Sequence, residues 1–139
     1  MARSRPGRVV LCTACCKRKR RVPASPIPAA RRYLSARIGL VLREASRRGL
    51  AAHILSGRYG LLPPSRRIPW YDQALLPEDV KAMASKVERQ LRGLGVGEVQ
   101  LWARPATTPG WRAYHDVLRL ACAKAGVRLR VVALDERYA

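Results

Sequence analysis

Apolar residues along the chain change their spacing several times, and each change marks an element. Arg8 to Cys12, with Val9, Val10 and Leu11 in a row, has the continuous apolar character of a short strand covered on both faces, as in a parallel sheet. The next segment runs from Lys17 to Arg21 and then through Pro23, Pro26 and Pro28, a composition in which no helix persists. From Ala29, the positions Tyr33, Leu34, Ile38, Val41, Leu42 and Ala45 recur at three- and four-residue spacing up to Gly49. That spacing predicts a first helix with a glycine C-cap. Leu50 to Leu55 reads as a second strand ending at Ser56-Gly57. Arg58 to Leu76, with Pro63, Pro64, Pro69, Trp70, Tyr71 and Asp72, reads as one long irregular stretch. Loops of that length in a small domain are usually functional or disordered, and two large aromatics beside an acid favour function.

Pro77-Glu78-Asp79 reads as a helix start, with proline in the first turn and acids at the positive end of the dipole. Val80, Met83, Val87, Leu91 and Leu94 line one face of that helix, and Gly93, Gly95 and Gly97 close it. Val99 to Ala103 is a third strand. Thr108-Pro109 opens a third helix with the apolar face Trp111, Tyr114, Leu118, Cys122 and Ala125 and a stop at Gly126, and Val127 to Leu134 is a fourth strand. The order β-α-β-loop-α-β-α-β predicts an α/β fold: a single three-layer domain with a four-stranded, mainly parallel sheet and helices on both faces. A length of 139 residues is about one domain, preceded by a basic segment, residues 1–7, expected to be flexible. Ligands of such sheets sit outside the carboxyl ends of the strands, where strand order reverses. Three segments are thereby brought to one rim: Thr13 to Arg21, Ser56 to Asp72, and Arg104 to Thr108.

Charge adds a direction to this picture. The chain carries 28 Lys and Arg against 9 Asp and Glu, a net of +19. Through residue 67 there are 17 basic side chains and one acid, Glu44, a net of +16, whereas the remainder holds 11 basic and 8 acidic residues, a net of +3. Biased codon supply could account for the abundance of arginine. It does not account for the near-absence of acids from the first 67 residues, which points to an anionic partner. No apolar run approaches the ~18–20 residues of a membrane span, and the N-terminus has no signal-peptide core, so a cytoplasmic protein is expected. In that compartment Cys12, Cys15, Cys16 and Cys122 are read as thiols, metal ligands or catalytic groups rather than disulfides.

Cys12-Thr-Ala-Cys15-Cys16-Lys17-Arg18-Lys19-Arg20-Arg21 places thiols and dense positive charge at one strand end. Neighbouring cations raise a thiol's thiolate fraction, and arginine and lysine bind phosphate, the one by a fork and the other as a point charge. The second ligand pair that would complete a zinc site is absent, so no metal is expected. His53 and His115 read as core or helix-flank residues. With neither a Walker loop nor G-x-G-x-x-G, no nucleotide cofactor is expected.

In the second loop, Gly57 and Gly60 would let backbone approach a ligand. Tyr59, Trp70 and Tyr71 offer faces for a stacked base, and Arg58, Arg66 and Arg67 offer phosphate contacts. Asp72, the one acid there, would bind a base edge or orient a water. Composition alone leaves open whether Tyr71-Asp72 does this or merely turns the chain before the next helix.

Leu55-Ser56-Gly57-Arg58-Tyr59-Gly60-Leu61-Leu62-Pro63 with Pro69-Trp70-Tyr71-Asp72 resembles the "LSAxYGLLxP…PYD" signature of a bacterial and phage domain family of unknown function. Cys15-Cys16-Lys17-Arg18-Lys19 resembles its "CxKRK" turn, and Ala30-Arg31-Arg32-Tyr33-Leu34-Ser35 its "ARDLYTS". The likeness covers roughly residues 9–75. Arg32 stands where that family has an acid, and Trp70 splits its proline-tyrosine pair. More distantly, the signature is similar to YaaA-type peroxide-stress proteins and to the catalytic domain of archaeosine synthases, which implies a uracil-DNA-glycosylase-like layout and a nucleobase or nucleic-acid site.

The expectation is therefore a nucleic-acid- or nucleobase-binding domain, either an enzyme acting on a base or its glycosidic bond, a non-enzymatic DNA- or RNA-binding module, or a nucleotide-metabolite binder. Cys15 and Asp72 are its candidate catalytic groups. Lys17, Lys19, Ser56, Gly57, Arg58, Tyr59, Gly60, Pro69, Trp70 and Tyr71 are candidates for substrate contact, and Arg18, Arg20, Arg21, Arg31, Arg32, Arg66 and Arg67 for phosphates.

Overall fold

A computed structural model of the chain describes residues 8–138; the basic segment 1–7 lies outside the described residues. In chain order the elements are β1 (Val9–Ala14), β2 (Ile27–Pro28), α1 (Ala29–Arg32), α2 (Ala36–Arg47), β3 (Ala51–Ser56), β4 (Gly60–Leu62), β5 (Arg67–Ile68), α3 (Val80–Leu94), β6 (Glu98–Ala103), α4 (Arg112–Ala125) and β7 (Arg128–Ala133). The main sheet has five strands in the order β4-β3-β1-β6-β7. All neighbours are parallel except β4, which runs antiparallel to β3. On β1, Leu11 packs with Val41 and Ala45 of α2, while Val10 and Cys12 pack with Val87 and Leu91 of α3 and Leu118 of α4. Alternate residues of a strand face opposite sides, so α2 covers one face and α3 with α4 the other. No helix among the described residues is long and apolar enough to cross a membrane.

Five strands replace the expected four because the stretch 58–76 is irregular only in part. Ser56 pairs with Gly60 across the turn Gly57-Arg58-Tyr59, and Gly60 takes a left-handed φ of 73°, which glycine adopts without the steric cost of a Cβ. Leu61 and Leu62 then bury themselves beside β3. Further on, Ile68 pairs with Ile27 to make a separate two-stranded ribbon of β2 and β5. Runs of two or three residues are too short to show a period.

The first helix is also divided. Tyr33 is extended (φ −82°, ψ 129°), and α2 begins only after Ser35, whose Oγ accepts the Ile38 N–H at 3.5 Å. The backbone around the break bonds to the basic loop instead of to itself: Arg20 N–H donates to Arg32 O at 2.7 Å and Leu34 N–H to Arg18 O at 3.0 Å. Periodicity bridged this break because Leu34 stands four residues before Ile38, and Tyr33 eight before Val41, by coincidence.

Arg32 corrects another expectation. It is not a surface phosphate contact but a fully buried side chain. Its guanidinium donates to the carbonyls of Arg20 (2.7 Å), Pro23 (2.7 Å), Ser25 (2.6 Å) and Ile68 (3.3 and 3.1 Å). The planar fork gathers carbonyls of a loop that lacks ladder partners of its own. It thereby holds residues 20–25 against β5.

Candidate functional site

The order of strands sets β1 between β3 and β6. The chain leaves β1 to one side and later returns on the other, so the crevice between the carboxyl ends of β1 and β6 is the switch point of the sheet. There the surface opens into a cavity of about 670 Å³, walled by residues 14–17 with Lys19, by residues 72–77 and by residues 109–114, a size typical of small-molecule sites. The third wall is not the expected Arg104 to Thr108. Those residues are tied down by Arg104 Nη1 donating to Leu134 O at 3.0 Å, and by a 2.8 Å hydrogen bond between His115 Nε2 and Arg104 O. The chain reaches the rim only at Pro109.

Cys15, Lys17, Lys19 and Asp72 all line this cavity. Cys15 is 8% exposed and its Sγ shares a 3.3 Å hydrogen bond with the Tyr114 hydroxyl. Behind it lies a chain of hydroxyls. Ser56 Oγ accepts the N–H groups of Arg58 and Tyr59, each at 3.1 Å, and is 2.8 Å from the Tyr71 hydroxyl, which in turn bonds Tyr33. With both lone pairs of Ser56 engaged, its own hydrogen is donated to Tyr71. Burial first, and the Cys15 thiol second, hold the phenols of Tyr33, Tyr71 and Tyr114 well above the ordinary tyrosine range. All three are therefore neutral O–H groups at pH 7. Lys19 Nζ sits 4.6 Å from the Tyr71 ring centre, a cation–π contact that fixes the ammonium at the rim.

Positive charge dominates the lining: Lys17, Lys19, Arg37 and Arg112 stand against Asp72. Arg37 is 4% exposed. Its Nη atoms donate to Thr13 Oγ1 at 2.9 Å, to Ala14 O, and to Cys15 O at 3.3 Å, while its Nε has no acceptor. Among the described residues it forms no ion pair, and burial pulls its pKa below the usual arginine value. Its guanidinium lies over Trp111, 4.7 Å from the ring centre. Sequence reasoning missed Arg37, Trp111, Tyr114 and Arg112. Arg37 did carry a signal, a charge on the otherwise apolar face of α2 beside Ile38, where a buried arginine is rare.

Other expected contacts lie elsewhere. Tyr71 and Ser56 are buried, so neither offers a surface to a ligand. Trp70 is 36% exposed, but Arg21 covers its ring at 5.0 Å, and with Pro69 and Arg58 it lies outside the cavity wall. Tyr59 is half-buried against Arg58, 5.3 Å from its ring centre, and Tyr71. The glycines serve packing. A Cβ on Gly57 would lie 2.8 Å from Leu75 N and 3.0 Å from Gln73 O, so Gly57 seats the wall 72–77 and does not admit a ligand. Gly60 is covered by Gln90, whose Oε1 accepts the Leu61 N–H at 2.8 Å. Gly57→Ala is expected to displace that wall and cost about 1–3 kcal/mol, as overpacking does, measurable by urea denaturation. Arg18, Arg20, Arg21, Arg31, Arg66 and Arg67 are exposed around the ribbon of β2 and β5, where Trp70 N–H donates to Ala24 O and Ala29 N–H to Arg66 O. The two basic loops thus share one surface.

No group of three or more His, Cys, Asp or Glu side chains among the described residues is placed to hold a metal. Cys12 and Cys122 are buried in the core, where desolvation raises the Cys12 pKa strongly and that of Cys122 to about 12. Compared with protein-family models, with curated proteins and with solved structures, the chain has no match.

Proposed function

We propose that the chain is a nucleic-acid- or nucleobase-binding domain that takes one nucleotide unit into the cavity at the β1–β6 switch point. The observation that carries this reading is the lining: four cations, of which Arg112 is paired with Asp116 at 3.4 Å, and one carboxylate around a space whose walls include the apolar Leu75, Leu76, Pro77 and Trp111. Such a site fits a ligand with an anionic end and a flat, weakly polar body, the two parts of a nucleotide. The exposed arginines around the ribbon of β2 and β5 supply contacts to a longer backbone. A base held in a duplex would have to be flipped to enter.

The motif likeness supports the same reading and assigns the domain to the uracil-DNA-glycosylase-like α/β layout, related to the peroxide-stress and archaeosine-synthase domains. In that assignment Cys15, opening on the cavity with its Sγ bonded to Tyr114, and Asp72 at the mouth carry any chemistry on the base. A non-enzymatic module that holds nucleic acid only on the basic ribbon is the second reading, favoured by the shared surface of the two loops.

Titration of single- and double-stranded oligonucleotides at two salt concentrations tests both. Affinity is expected to fall with salt, log K against log[salt] having a slope of about −0.7 to −0.9 per phosphate contacted. The double variant K17E/K19E should weaken binding at least tenfold if the cavity is used, and R66E/R67E more strongly if only the ribbon is. No binding of either oligonucleotide at low salt would overturn the nucleic-acid reading.

A further inference from the structure

We propose that the end of the cavity at α4 is a phosphate subsite for a terminal phosphomonoester, formed by the first turn of α4 and Arg37; this rests on the anionic-ligand reading above. Trp111, the N-cap of α4, provides no side-chain cap, and the first turn holds no acid. The N–H groups of Trp111, Tyr114 and His115 are engaged by Thr108 O and Trp111 O at 3.1–3.3 Å, whereas those of Arg112 and Ala113 have no backbone acceptor outside the helix among the described residues. Both residues face the cavity. Free N–H groups at the positive end of a helix dipole attract anions.

A second, independent feature points to the same place. Among the described residues, Arg37 is a buried cation on the cavity wall with an unused Nε hydrogen and no ion pair, stacked on the N-cap residue itself. A buried charge without a counter-ion is costly, and a bound dianion would neutralise it. Arg37 is almost wholly covered by the protein itself, so it acts on a bound group through its charge, and a phosphomonoester brings about two negative charges at pH 7 where a phosphodiester brings one. The shared chemistry is thus a phosphomonoester, from a strand end or from a free mononucleotide.

The test compares one short single-stranded oligodeoxynucleotide with and without a terminal phosphate, by fluorescence anisotropy, together with the effect of a nucleoside monophosphate and of inorganic phosphate on the melting temperature. The terminal phosphate is expected to tighten binding by about tenfold or more, the order of one charge-assisted contact set. In R37Q that ratio should fall to about one. Should R37Q fail to fold, R112D, which places a carboxylate in the exposed first turn of α4, should abolish the ratio in its stead. Equal binding of the two oligonucleotides to the unaltered protein, or a ratio unchanged in the variants, overturns the subsite while the nucleic-acid reading stands. If neither oligonucleotide binds but the monophosphate and phosphate raise the melting temperature in the unaltered protein and not in R112D, the subsite stands with a metabolite as its ligand. If nothing binds or stabilises, both proposals fail.

Discussion

Replacing Arg32 with alanine is expected to cost about 3–5 kcal/mol of folding free energy, a large part of what a domain of this size possesses. The arginine is fully buried and binds the carbonyls of Arg20, Pro23, Ser25 and Ile68. Truncation leaves a cavity at a fully buried side chain and strands the buried Ile68 carbonyl, at about 1–3 kcal/mol for an acceptor that water cannot reach, and it releases the part-buried carbonyls of Arg20, Pro23 and Ser25. Lysine keeps the charge but not the fork, so Arg32→Lys should recover only part of the loss. Urea denaturation of the three proteins measures this, and an R32A variant within about 1 kcal/mol of the parent would show that solvent replaces the guanidinium and that the loop is not organised by it. Loss of the clamp should also free residues 20–25 for proteolysis at their exposed arginines.

Alkaline pH is expected to unfold the protein steeply. Tyr33, Tyr71 and Tyr114 have folded pKa values raised above the ordinary 10.0 by burial. A raised pKa means that the folded state favours the protonated phenol. The resulting stability is complete below the unfolded value and is lost as pH rises from 10 towards the folded values. Each group removes about 1.4 kcal/mol per pH unit in that window, and three together about 4 kcal/mol. The buried thiols Cys12 and Cys122, raised from 9.0 by the same cause, start the decline one unit earlier. His53 acts with the opposite sign. Burial, then the charge of Arg8, lowers its pKa below 6.5, so its contribution is present above 6.5 and lost as pH falls below it. Urea midpoints across pH should therefore form a plateau from about 6.5 to 9 with a steep alkaline edge. Phenolate absorbance that develops fully near pH 10 in the folded protein, with no loss of structure, would contradict the burial of these three rings.

The α/β alternation was legible because long elements display their period. Val80 to Leu94 shows its apolar face over four turns, and Val9 to Leu11 its double burial, so both stand where the pattern placed them. The hairpin at Gly60 and the ribbon of β2 and β5 are two or three residues long, below the length at which a period exists. The break at Tyr33 was hidden for another reason: the spacing of side chains continued across it although the backbone hydrogen bonds did not.

At the cavity, the first loop was legible by composition, since thiols and cations at a strand's carboxyl end are unusual in themselves. Tyr71 and Trp70 misled because an aromatic looks the same in sequence whether it stacks on a ligand or fills the interior. Tyr71 is buried in a hydroxyl chain with Ser56 and Tyr33, and Trp70 is covered by Arg21.

Sequence by itself determined the α/β alternation of the domain, the strand ends to which its first basic loop is brought and the asymmetry of its charge. These depend on local period, on the handedness of crossovers and on the order of residues. Only the tertiary structure decided which cations serve the fold and which face the cavity. Arg32 and Arg37 are five positions apart in one basic half of the chain. One is saturated by carbonyls; the other stands at the cavity wall with no counter-ion among the described residues. That difference comes from which carbonyls the folded chain brings to each guanidinium, and such long-range contacts leave no mark on the spacing of residues.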